Sequence, residues 1–367
     1  MAEIQVIPPN GFYGVSTFSG GGGSCLGYRM AGFKMLWANE FIPAAQDTYR
    51  ANHPDSFLDT RDIRLIQPQE ILEATGMKVG QIDLFDGSPP CASFSTSGKR
   101  EGGWGKVKSY SDTEQRTDDL FFEYTRILTG LQPKVFIAEN VRGLLMGVSK
   151  GMFFEILLAL KDCGYEVEAR LLDSQWLGVP QARQRVIFMG VRNDLFEATG
   201  IKPAYPKPLP YNYTLREAIP WLSDHPLHPV DLSTLSEHDQ KLAVIPPEHL
   251  EDIMTATTSR GYQWDEIKPG SSHNVNFNTK REHPNLPSST ILASGGLLRN
   301  ALHPVERRVF TIAEIKRLAS FPDDYNLTGS YAQQWERIGR AVPPLMMKAV
   351  ADTVRDQILI PLKERGY

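Results

Sequence analysis

The sequence predicts an α/β protein built on a mostly parallel sheet, with a second, smaller and loop-rich domain. Short apolar runs alternate with helical patterns through the first half of the chain, which is typical of a parallel sheet covered on both faces. After about residue 195 the chain becomes rich in Pro, Ser, Asn and His and loses clear periodicity. With 367 residues, the chain is long enough to bury a real core.

The elements follow from the same patterns in chain order. Apolar runs predict strands at 14–18, 33–38, 82–85, 135–138, 167–172 and 185–191, and helical spacing predicts helices at 25–31, 120–131, 152–160, 312–321 and 344–362. We therefore expect a catalytic and cofactor-binding domain at 1–200, a second domain at 201–305 and a C-terminal segment at 306–367 that returns to the first domain. Because parallel sheets bind ligands at the carboxyl ends of their strands, residues just after the predicted strands are the candidates for function.

Composition excludes several classes of protein. Hydrophobic residues make up 41% and charged residues 22%, which argues against a disordered chain, a collagen-like fibre and a coiled coil. The net charge of −4 means that any nucleic-acid site must be a local basic patch. The three cysteines form no CxxC pair, which argues against a disulfide scaffold or a cysteine zinc site. Without a signal peptide or a membrane-length apolar run, we expect a soluble cytoplasmic protein.

A glycine-rich turn, FSGGGGSC at residues 18–25, follows the first predicted strand. Gly20 and Gly22 allow the backbone to approach a ligand at the start of a helix, but the spacing does not satisfy GxGxxG. The turn therefore predicts a nucleotide-like cofactor without a pyrophosphate, with Glu40 at the end of the second strand accepting hydrogen bonds from ribose hydroxyls. The alternative is a glycine-rich turn beside a surface glutamate.

Two further strand ends carry reactive side chains. Cys91 lies in DGSPPCASFS, a proline-stiffened loop in which a thiolate can attack an electrophilic carbon. Glu139 lies in AENV after an apolar strand, where an acid can donate a proton or a hydrogen bond to a ring nitrogen. The alternatives are a small buried cysteine, and a solvated Glu139 beside a helix that Asn140 caps.

The segment QARQR at 181–185 places polar residues at alternate positions. If it belongs to a strand, Gln181, Arg183 and Arg185 share one face and point together into the cleft, where they suit phosphate or base oxygens. The alternative is a polar face on an edge strand.

Taken together and in order, these segments resemble the cytosine carbon-5 DNA methyltransferases over nearly the whole chain. The resemblance implies a Rossmann-like methyltransferase fold, a small target-recognition domain, and alkyl transfer from S-adenosyl-L-methionine to carbon 5 of a flipped cytosine in double-stranded DNA. The matching segments are FSGGGG, ANEF, RDI (61–63), SPPCASFS, DDLFFEYTRIL, ENV, QARQR, RVFTIAEIKRLASFPDDY and RIGRAVPP.

The resemblance also implies a role for each matching residue. Cys91 adds to carbon 6 of cytosine, Glu139 holds N3 and the exocyclic amine, and Arg185 contacts O2. Arg183 and Gln181 support the catalytic loop and the DNA backbone. The positions that match cofactor contacts are Phe18, Gly20, Gly22, Glu40, Phe41, Asp62, Ile63, Pro90 and Leu120, and the candidate DNA contacts are Gln181, Ser95, Arg260, Lys280, Arg281 and Arg299. For the basic residues of the recognition segment, the alternative is a solvated surface charge.

Two departures from the family pattern bear on the cofactor. Ser16 and Thr17 stand where the first motif usually has Asp-Leu, so the amino-acid end of the cofactor is expected to be held differently. Arg340 replaces the usual Asn of the tenth motif, which lies beside the cofactor in the family. Two like charges at ~4 Å repel by ~4 kcal/mol at an effective dielectric constant of about 20, so an arginine facing a sulfonium is unfavourable.

Three explanations of Arg340 remain open. Its side chain reaches a DNA phosphate, or the enzyme is weakened or inactive, or the donor is carboxy-S-adenosyl-L-methionine, whose extra carboxylate pairs with Arg340 and gives a carboxymethylcytosine product. A non-catalytic DNA-binding relative and an RNA cytosine methyltransferase are the rival functions. We expect a monomer, and a cognate restriction enzyme is a candidate partner.

Overall fold

The computed structural model describes residues 7–90, 108–110, 113–115, 119–147, 150–223, 225, 227–258, 261–273, 279–293 and 301–367. These residues divide into two compact units: 5–173, 184–207 and 347–367 form the catalytic unit, and 174–183 together with 208–346 form the second unit. The sequence led us to expect 306–367 in a segment returning to the first domain. Residues 306–346 instead belong to the second unit, where, for example, the Trp335 indole donates to the Leu292 carbonyl at 3.0 Å.

The catalytic unit is built on a seven-stranded sheet with the strand order β3-β2-β1-β4-β7-β9-β8. The first five strands in this order are parallel to one another, whereas β9 runs antiparallel to both β7 and β8. The strands are β1 (Tyr13–Thr17), β2 (Lys34–Asn39), β3 (Phe57–Asp59), β4 (Leu84–Gly87), β7 (Val135–Val141), β8 (Tyr165–Asp173) and β9 (Gln184–Arg192), and two short pairs lie outside this sheet: β5 (Lys108–Tyr110) with β6 (Thr113–Gln115), and β10 (Lys280–Arg281) with β11 (Ala301–Leu302).

The chain passes from β1 to β2 on one side and later returns to β4 on the other side of β1. This reversal leaves a crevice at the carboxyl ends of β1 and β4, which is where open α/β sheets bind ligands. The helices are α1 (Gly23–Met30), α2 (Pro43–Asn52), α3 (Pro68–Thr75), α4 (Leu120–Leu131), α5 (Lys150–Asp162), α6 (Asn193–Thr199), α7 (Leu215–Ala218), α8 (Glu237–Ala243), α9 (Pro247–Thr258), α10 (Gly261–Glu266), α11 (Ile312–Leu318), α12 (Tyr331–Arg340), α13 (Pro344–Val354) and α14 (Ile360–Glu364).

The α4 helix shows how the sequence builds the core. Leu120, Tyr124 and Leu128 recur at helical spacing and are fully buried against the sheet, and the Tyr124 ring stacks on Phe85 of β4 with 4.7 Å between ring centroids. The predicted helix therefore agrees with the observed one over 120–131. The predicted single helix at 344–362 is instead interrupted by one π-helical turn at Arg355–Leu359.

Within the ranges that the structure describes, every helix is too short or too polar to cross a lipid bilayer.

Candidate active site and cofactor site

The glycine-rich turn lies at the carboxyl end of β1 and leads into α1. Phe18, Gly20 and Gly22 all have positive φ angles, of 54°, 56° and 88°. A left-handed conformation at Phe18 costs about 1–3 kcal/mol, and such strain is typical of ligand-binding turns. A Cβ added at Gly20 would meet no heavy atom within 4 Å, so this glycine is required for its backbone angle and the turn keeps an open face.

The Glu40 carboxylate holds this turn from the end of β2. Its Oε2 accepts the Gly20 backbone N–H at 2.7 Å, and its Oε1 accepts the Ile42 N–H at 2.7 Å. Glu40 is buried, so these bonds form away from bulk water. A carboxylate accepts hydrogen bonds from hydroxyl groups of the kind that a ribose carries. Glu40 and the open turn therefore fit a nucleoside cofactor.

Charged side chains that follow β3 and precede α4 form a small cluster. Asp62 caps the short helix Ile63–Leu65 by accepting the Arg64 N–H at 3.0 Å, and the Arg64 guanidinium bridges Asp62 to Asp119. Ile63 and Leu120 are in the hydrophobic core, and Phe18 packs against it. Phe41 and Pro90 are half-buried. Leu120 is fully buried, so it supports the wall of the site from behind instead of offering an open surface.

Glu139 and Arg185, two predicted catalytic residues, form an ion pair where β7 and β9 meet. Because β9 is antiparallel to β7, the first residues of β9 meet the last residues of β7, and Arg185 is the register partner of Val141. The Arg185 Nε lies 2.6 Å from Glu139 Oε1, and both side chains are nearly buried. Burial lowers the pKa of Arg185, and the neighbouring carboxylate only partly opposes this.

The two side chains of this pair are held together by their charges. Glu139 Oε1 is buried, and the Arg185 Nε at 2.6 Å is its charged partner. A carboxyl group has further oxygen lone pairs that a ligand can use. The arrangement therefore suits a flat polar ring that brings both donors and acceptors.

Asp86 is a site residue that sequence reasoning missed. It lies on β4 beside Gly87 and is 1% exposed. Its carboxylate accepts from the Ser16 hydroxyl at 2.9 Å and from the Tyr28 hydroxyl at 2.8 Å. Burial raises the pKa of Asp86 to about 7, the two hydroxyls oppose this, and the charge of Glu139 adds to it. The sequence carried one signal for Asp86. It is an acid at the end of an apolar strand, and Ser16 stands where the first motif usually has an acid.

The prediction that Gln181, Arg183 and Arg185 share one strand face is wrong. The strand begins at Gln184, whereas Gln181 makes an isolated bridge with Ser288 and the Arg183 N–H donates to the Ser174 hydroxyl at 3.1 Å. The Arg183 guanidinium is buried and donates to the carbonyls of Ile291 and Gly339 at 3.1 and 2.9 Å. These contacts make Arg183 a positioning residue within the second unit. Gln181 is also buried there, where its side chain accepts the Ile291 N–H at 3.3 Å.

The candidate DNA contacts of the predicted second domain, residues 201–305, also differ in their surroundings. Arg281 is engaged inside the second unit: it donates to the Pro304 carbonyl at 2.9 Å and stacks on Trp264 with 3.5 Å from guanidinium carbon to ring centroid. The alternative of a solvated surface charge is therefore wrong for Arg281, and its role as a DNA contact stays a prediction. Lys280 is partly exposed, and its Nζ lies 3.8 Å from Glu282. Four predicted site residues, Cys91, Ser95, Arg260 and Arg299, lie outside the described residues.

Arg340 is in the last turn of α12, where its guanidinium pairs with Glu336 one turn earlier. The Nη2 atom lies 2.6 Å from Glu336 Oε1, and the side chain is 41% exposed. The positive charge that distinguishes this chain from the family pattern is therefore offset by a neighbour on its own helix. Elsewhere, no group of His, Cys, Asp or Glu within the described ranges is arranged to hold a metal ion.

The sheet is of the open α/β class, with its crevice at the carboxyl ends of β1 and β4. The family model described as C-5 cytosine-specific DNA methylase matches residues 12–356, and the chain belongs to this family.

Among curated relatives, the Type II methyltransferase M.NgoFVII of Neisseria gonorrhoeae is 32% identical over 350 residues, which cover 93% of this chain and 85% of that protein. The Type II methyltransferase M1.HphI of Haemophilus parahaemolyticus is 31% identical over 343 residues, covering 93% and 86%. A prophage-encoded E. coli protein described as a DNA modification methyltransferase shares the fold with a TM-score of 0.70 at 20% identity, covering 95% of this chain and 99% of that structure. These findings confirm the predicted family and fold.

Proposed function

We propose that this protein methylates carbon 5 of cytosine in double-stranded DNA through a covalent adduct with Cys91, using S-adenosyl-L-methionine. The observation that carries the proposal is the buried Glu139–Arg185 pair at the carboxyl end of β7. The position of Cys91 in the chain, directly after Pro90 and four residues beyond the end of β4, supports its role as the nucleophile. The family match and the Type II relatives support DNA as the substrate.

The proposed reaction follows from the chemistry of the three side chains. Cytosine carbon 6 becomes electrophilic when electron density is drawn toward N3 and O2. Glu139 holds N3 and the exocyclic amine, and Arg185 donates to O2, so the Cys91 thiolate forms a bond to carbon 6. Carbon 5, now electron-rich, would take the methyl group of a sulfonium donor, whose S–CH3 bond would break to leave a neutral thioether. Loss of the carbon-5 proton then restores the ring double bond and expels Cys91. The base must leave the duplex for these groups to reach it.

The residues around the glycine turn fit S-adenosyl-L-methionine, which would supply the methyl group on a sulfonium. Glu40 would hold the ribose hydroxyls, Phe41 would stack on the adenine, and Asp62 would accept from the adenine amine. The turn at Phe18–Gly22 has no pyrophosphate fingerprint, which is consistent with a cofactor that lacks phosphates.

The proposal is tested by mass spectrometry of nucleosides from DNA incubated with the purified protein and S-adenosyl-L-methionine. We expect 5-methylcytosine with the wild type, none with Cys91→Ser, and a rate reduced by about 10²–10⁴ with Glu139→Gln. Cys163→Ser is the matched control, because this cysteine is buried beside α4 and α5, just before the amino end of β8, and should retain activity. DNA containing 5-fluorocytosine should trap a covalent complex through Cys91. Methylation by Cys91→Ser would overturn the mechanism, and no modified base with the wild type would favour a DNA-binding relative.

A second candidate reaction rests on Arg340. Carboxy-S-adenosyl-L-methionine carries an additional carboxylate that a guanidinium can pair with, and its transfer would give 5-carboxymethylcytosine. The pair with Glu336 shows that Arg340 already holds one carboxylate, which a donor carboxylate would have to replace or join. With both donors present, Arg340→Asn should shift the product toward 5-methylcytosine, whereas the control Glu336→Gln keeps the guanidinium and should not. An unchanged product ratio in Arg340→Asn excludes this second candidate.

The Type II relatives further support a role beside a cognate restriction enzyme. We propose that residues 203–305 recognise the target sequence, with Lys280 as a remaining described candidate for a DNA contact.

A further inference from the structure

The departure at Ser16 has a counterpart on the neighbouring strand. Ser16 stands where the first motif of the family usually has an acid. In the sheet, Asp86 of β4 is the register partner of Ser16 of β1, and the Ser16 hydroxyl donates to Asp86 Oδ2 at 2.9 Å. Side chains at paired positions of adjacent parallel strands point to the same face. The acid that β1 lacks is therefore present one strand away, at the same level of the sheet.

A chain of hydroxyl groups connects Asp86 to the glycine turn. The Ser19 hydroxyl lies 3.0 Å from the Ser16 hydroxyl, which in turn donates to Asp86. Ser19 also fixes the turn through its backbone, because its N–H donates to the Asn39 carbonyl and its carbonyl accepts the Gly22 N–H, both at 3.0 Å. A change at Asp86 is thus transmitted to the turn that Glu40 holds from its other side.

Hydroxyl groups and one other acid surround the Asp86 carboxyl. Ser16 faces it from β1 and Tyr28 from α1, where Cys25 also lies close, while Tyr124 faces it from α4 and the charge of Glu139 acts on it from β7. In the part of the chain that the structure describes, no lysine or arginine pairs with it. Burial raises the pKa of Asp86 to about 7, so it gains or loses its charge near neutral pH. A buried anion without a cationic partner is stabilised when a cation binds nearby.

We propose that Asp86 is the relocated acid of the cofactor site: its ionised carboxylate fixes the Phe18–Gly22 turn through Ser16 and Ser19 and favours a positively charged cofactor. Asp86 is a positioning residue in this proposal, since it acts through the two serines. The inference rests on the proposed function in one respect, namely that the cofactor is a sulfonium. It adds that cofactor affinity rises as the pH increases through the neutral range.

Equilibrium binding without DNA tests the proposal directly. Affinity for S-adenosyl-L-methionine and for S-adenosyl-L-homocysteine, which lacks the sulfonium charge, is measured calorimetrically between about pH 6 and about pH 8. The wild type should bind the sulfonium more tightly at the higher pH, with a weaker trend for the homocysteine form. Asp86→Asn should weaken sulfonium binding by roughly tenfold or more and lose the trend. The matched control is Asp83→Asn, a buried acid directly before β4 that pairs with Lys134 at 3.1 Å, and it should bind as the wild type does.

If Asp86→Asn folds poorly, exchanging the residues at positions 16 and 86 still tests the proposal. Asp86→Ser removes the acid, and Ser16→Asp places two acids side by side, so each single variant should bind the cofactor at least about tenfold more weakly. The double variant Ser16→Asp/Asp86→Ser restores one acid and one hydroxyl at the paired positions and should recover most of the affinity, which is a non-additive result. A folded double variant that binds no better than either single variant would overturn the proposal.

The two proposals fail in different ways. Wild-type affinity that is independent of pH and unchanged in Asp86→Asn overturns the role of Asp86, even if nucleoside analysis finds 5-methylcytosine. Cofactor binding that depends on pH, without any modified cytosine, supports the role of Asp86 and overturns the proposed reaction. A wild type that binds neither compound overturns both.

Discussion

Asp86 and Glu314 are both fully buried carboxyl groups, yet their surroundings move their pKa values in opposite directions. Glu314, in the second unit, receives both arms of the Arg308 guanidinium at 2.7 and 2.8 Å, the Thr311 N–H and the Trp221 indole. Burial alone would raise its pKa, but the Arg308 guanidinium, with His303 and the Thr311 N–H, lowers the value to about 2. Asp86, in the catalytic unit, has two hydroxyl donors, and its pKa is raised to about 7.

The difference separates an acid that builds the structure from one that serves a site. A buried carboxylate that is paired with a guanidinium and saturated with donors stays charged at every ordinary pH and holds its surroundings in place. A buried carboxyl that is held by hydroxyls lowers the stability of the folded protein when it ionises, and this cost is tolerated where a cationic ligand offsets it. The predictions below test this distinction.

The largest expected effect is on the structural acid. Glu314→Gln removes the buried anion that pairs with the Arg308 guanidinium and should destabilise the protein by about 3–5 kcal/mol, measured by urea unfolding at neutral pH. Glu306→Gln is the control: it also removes a partner of Arg308 at 2.7 Å, but its side chain is 48% exposed, so the cost should stay below about 1 kcal/mol. If both variants lose the same free energy of unfolding, burial of the carboxylate does not determine how much each ion pair with Arg308 stabilises the protein.

Above neutral pH, Asp86→Asn should stabilise the folded protein, whereas Glu314→Gln destabilises it. The folded-state pKa of about 7 lies above the ordinary value of 3.8, so the folded protein binds this proton more tightly than the unfolded chain does. The stability that this proton contributes is fully present below the ordinary value and is lost as the pH rises to about 7. Between those limits the stability of the wild type relative to Asp86→Asn should fall by at most ~1.4 kcal/mol per pH unit. Unfolding of both proteins at several pH values measures the slope, and parallel curves would contradict the assignment of the raised pKa to Asp86.

The sequence predicted those features of the fold and site that depend on local pattern. The helix at 120–131 and the strands that end near Phe18 and Glu139 follow from periodicity and apolar runs, because one buried face repeats over many residues. The role of Asp86 was not predicted, since its burial and its partners depend on Ser16 and Tyr28, which are 70 and 58 positions away in the chain. The shared strand face proposed for Gln181, Arg183 and Arg185 failed because alternation holds only within a strand, and the strand begins at Gln184.

Gly87→Ala is expected to show an intermediate effect at the edge of the site. A Cβ at this position would lie 2.5 Å from the Tyr124 ring and 2.6 Å from the Thr17 hydroxyl, and both groups are buried. Overpacking of this kind costs about 1–3 kcal/mol, which a shift in the thermal midpoint measures. Gly151→Ala is the control, because a Cβ there meets no heavy atom within 4 Å. A Gly87→Ala protein as stable as this control would show that β4 and α4 adjust easily, and the site would then be less rigid than its packing indicates.

The smallest expected effect concerns the exposed pair of Arg340 and Glu336. The pair spans one helical turn, and the Arg340 side chain is 41% exposed, so solvent weakens the attraction between the charges. Arg340→Asn should therefore change the free energy of unfolding by about 0.3–0.5 kcal/mol, close to the limit of measurement. This near-neutrality makes the substitution informative, because a change in donor preference or in DNA affinity cannot then be attributed to misfolding. A loss of several kcal/mol would instead show that Arg340 is a structural residue, which would remove the basis for assigning it to the cofactor or to DNA.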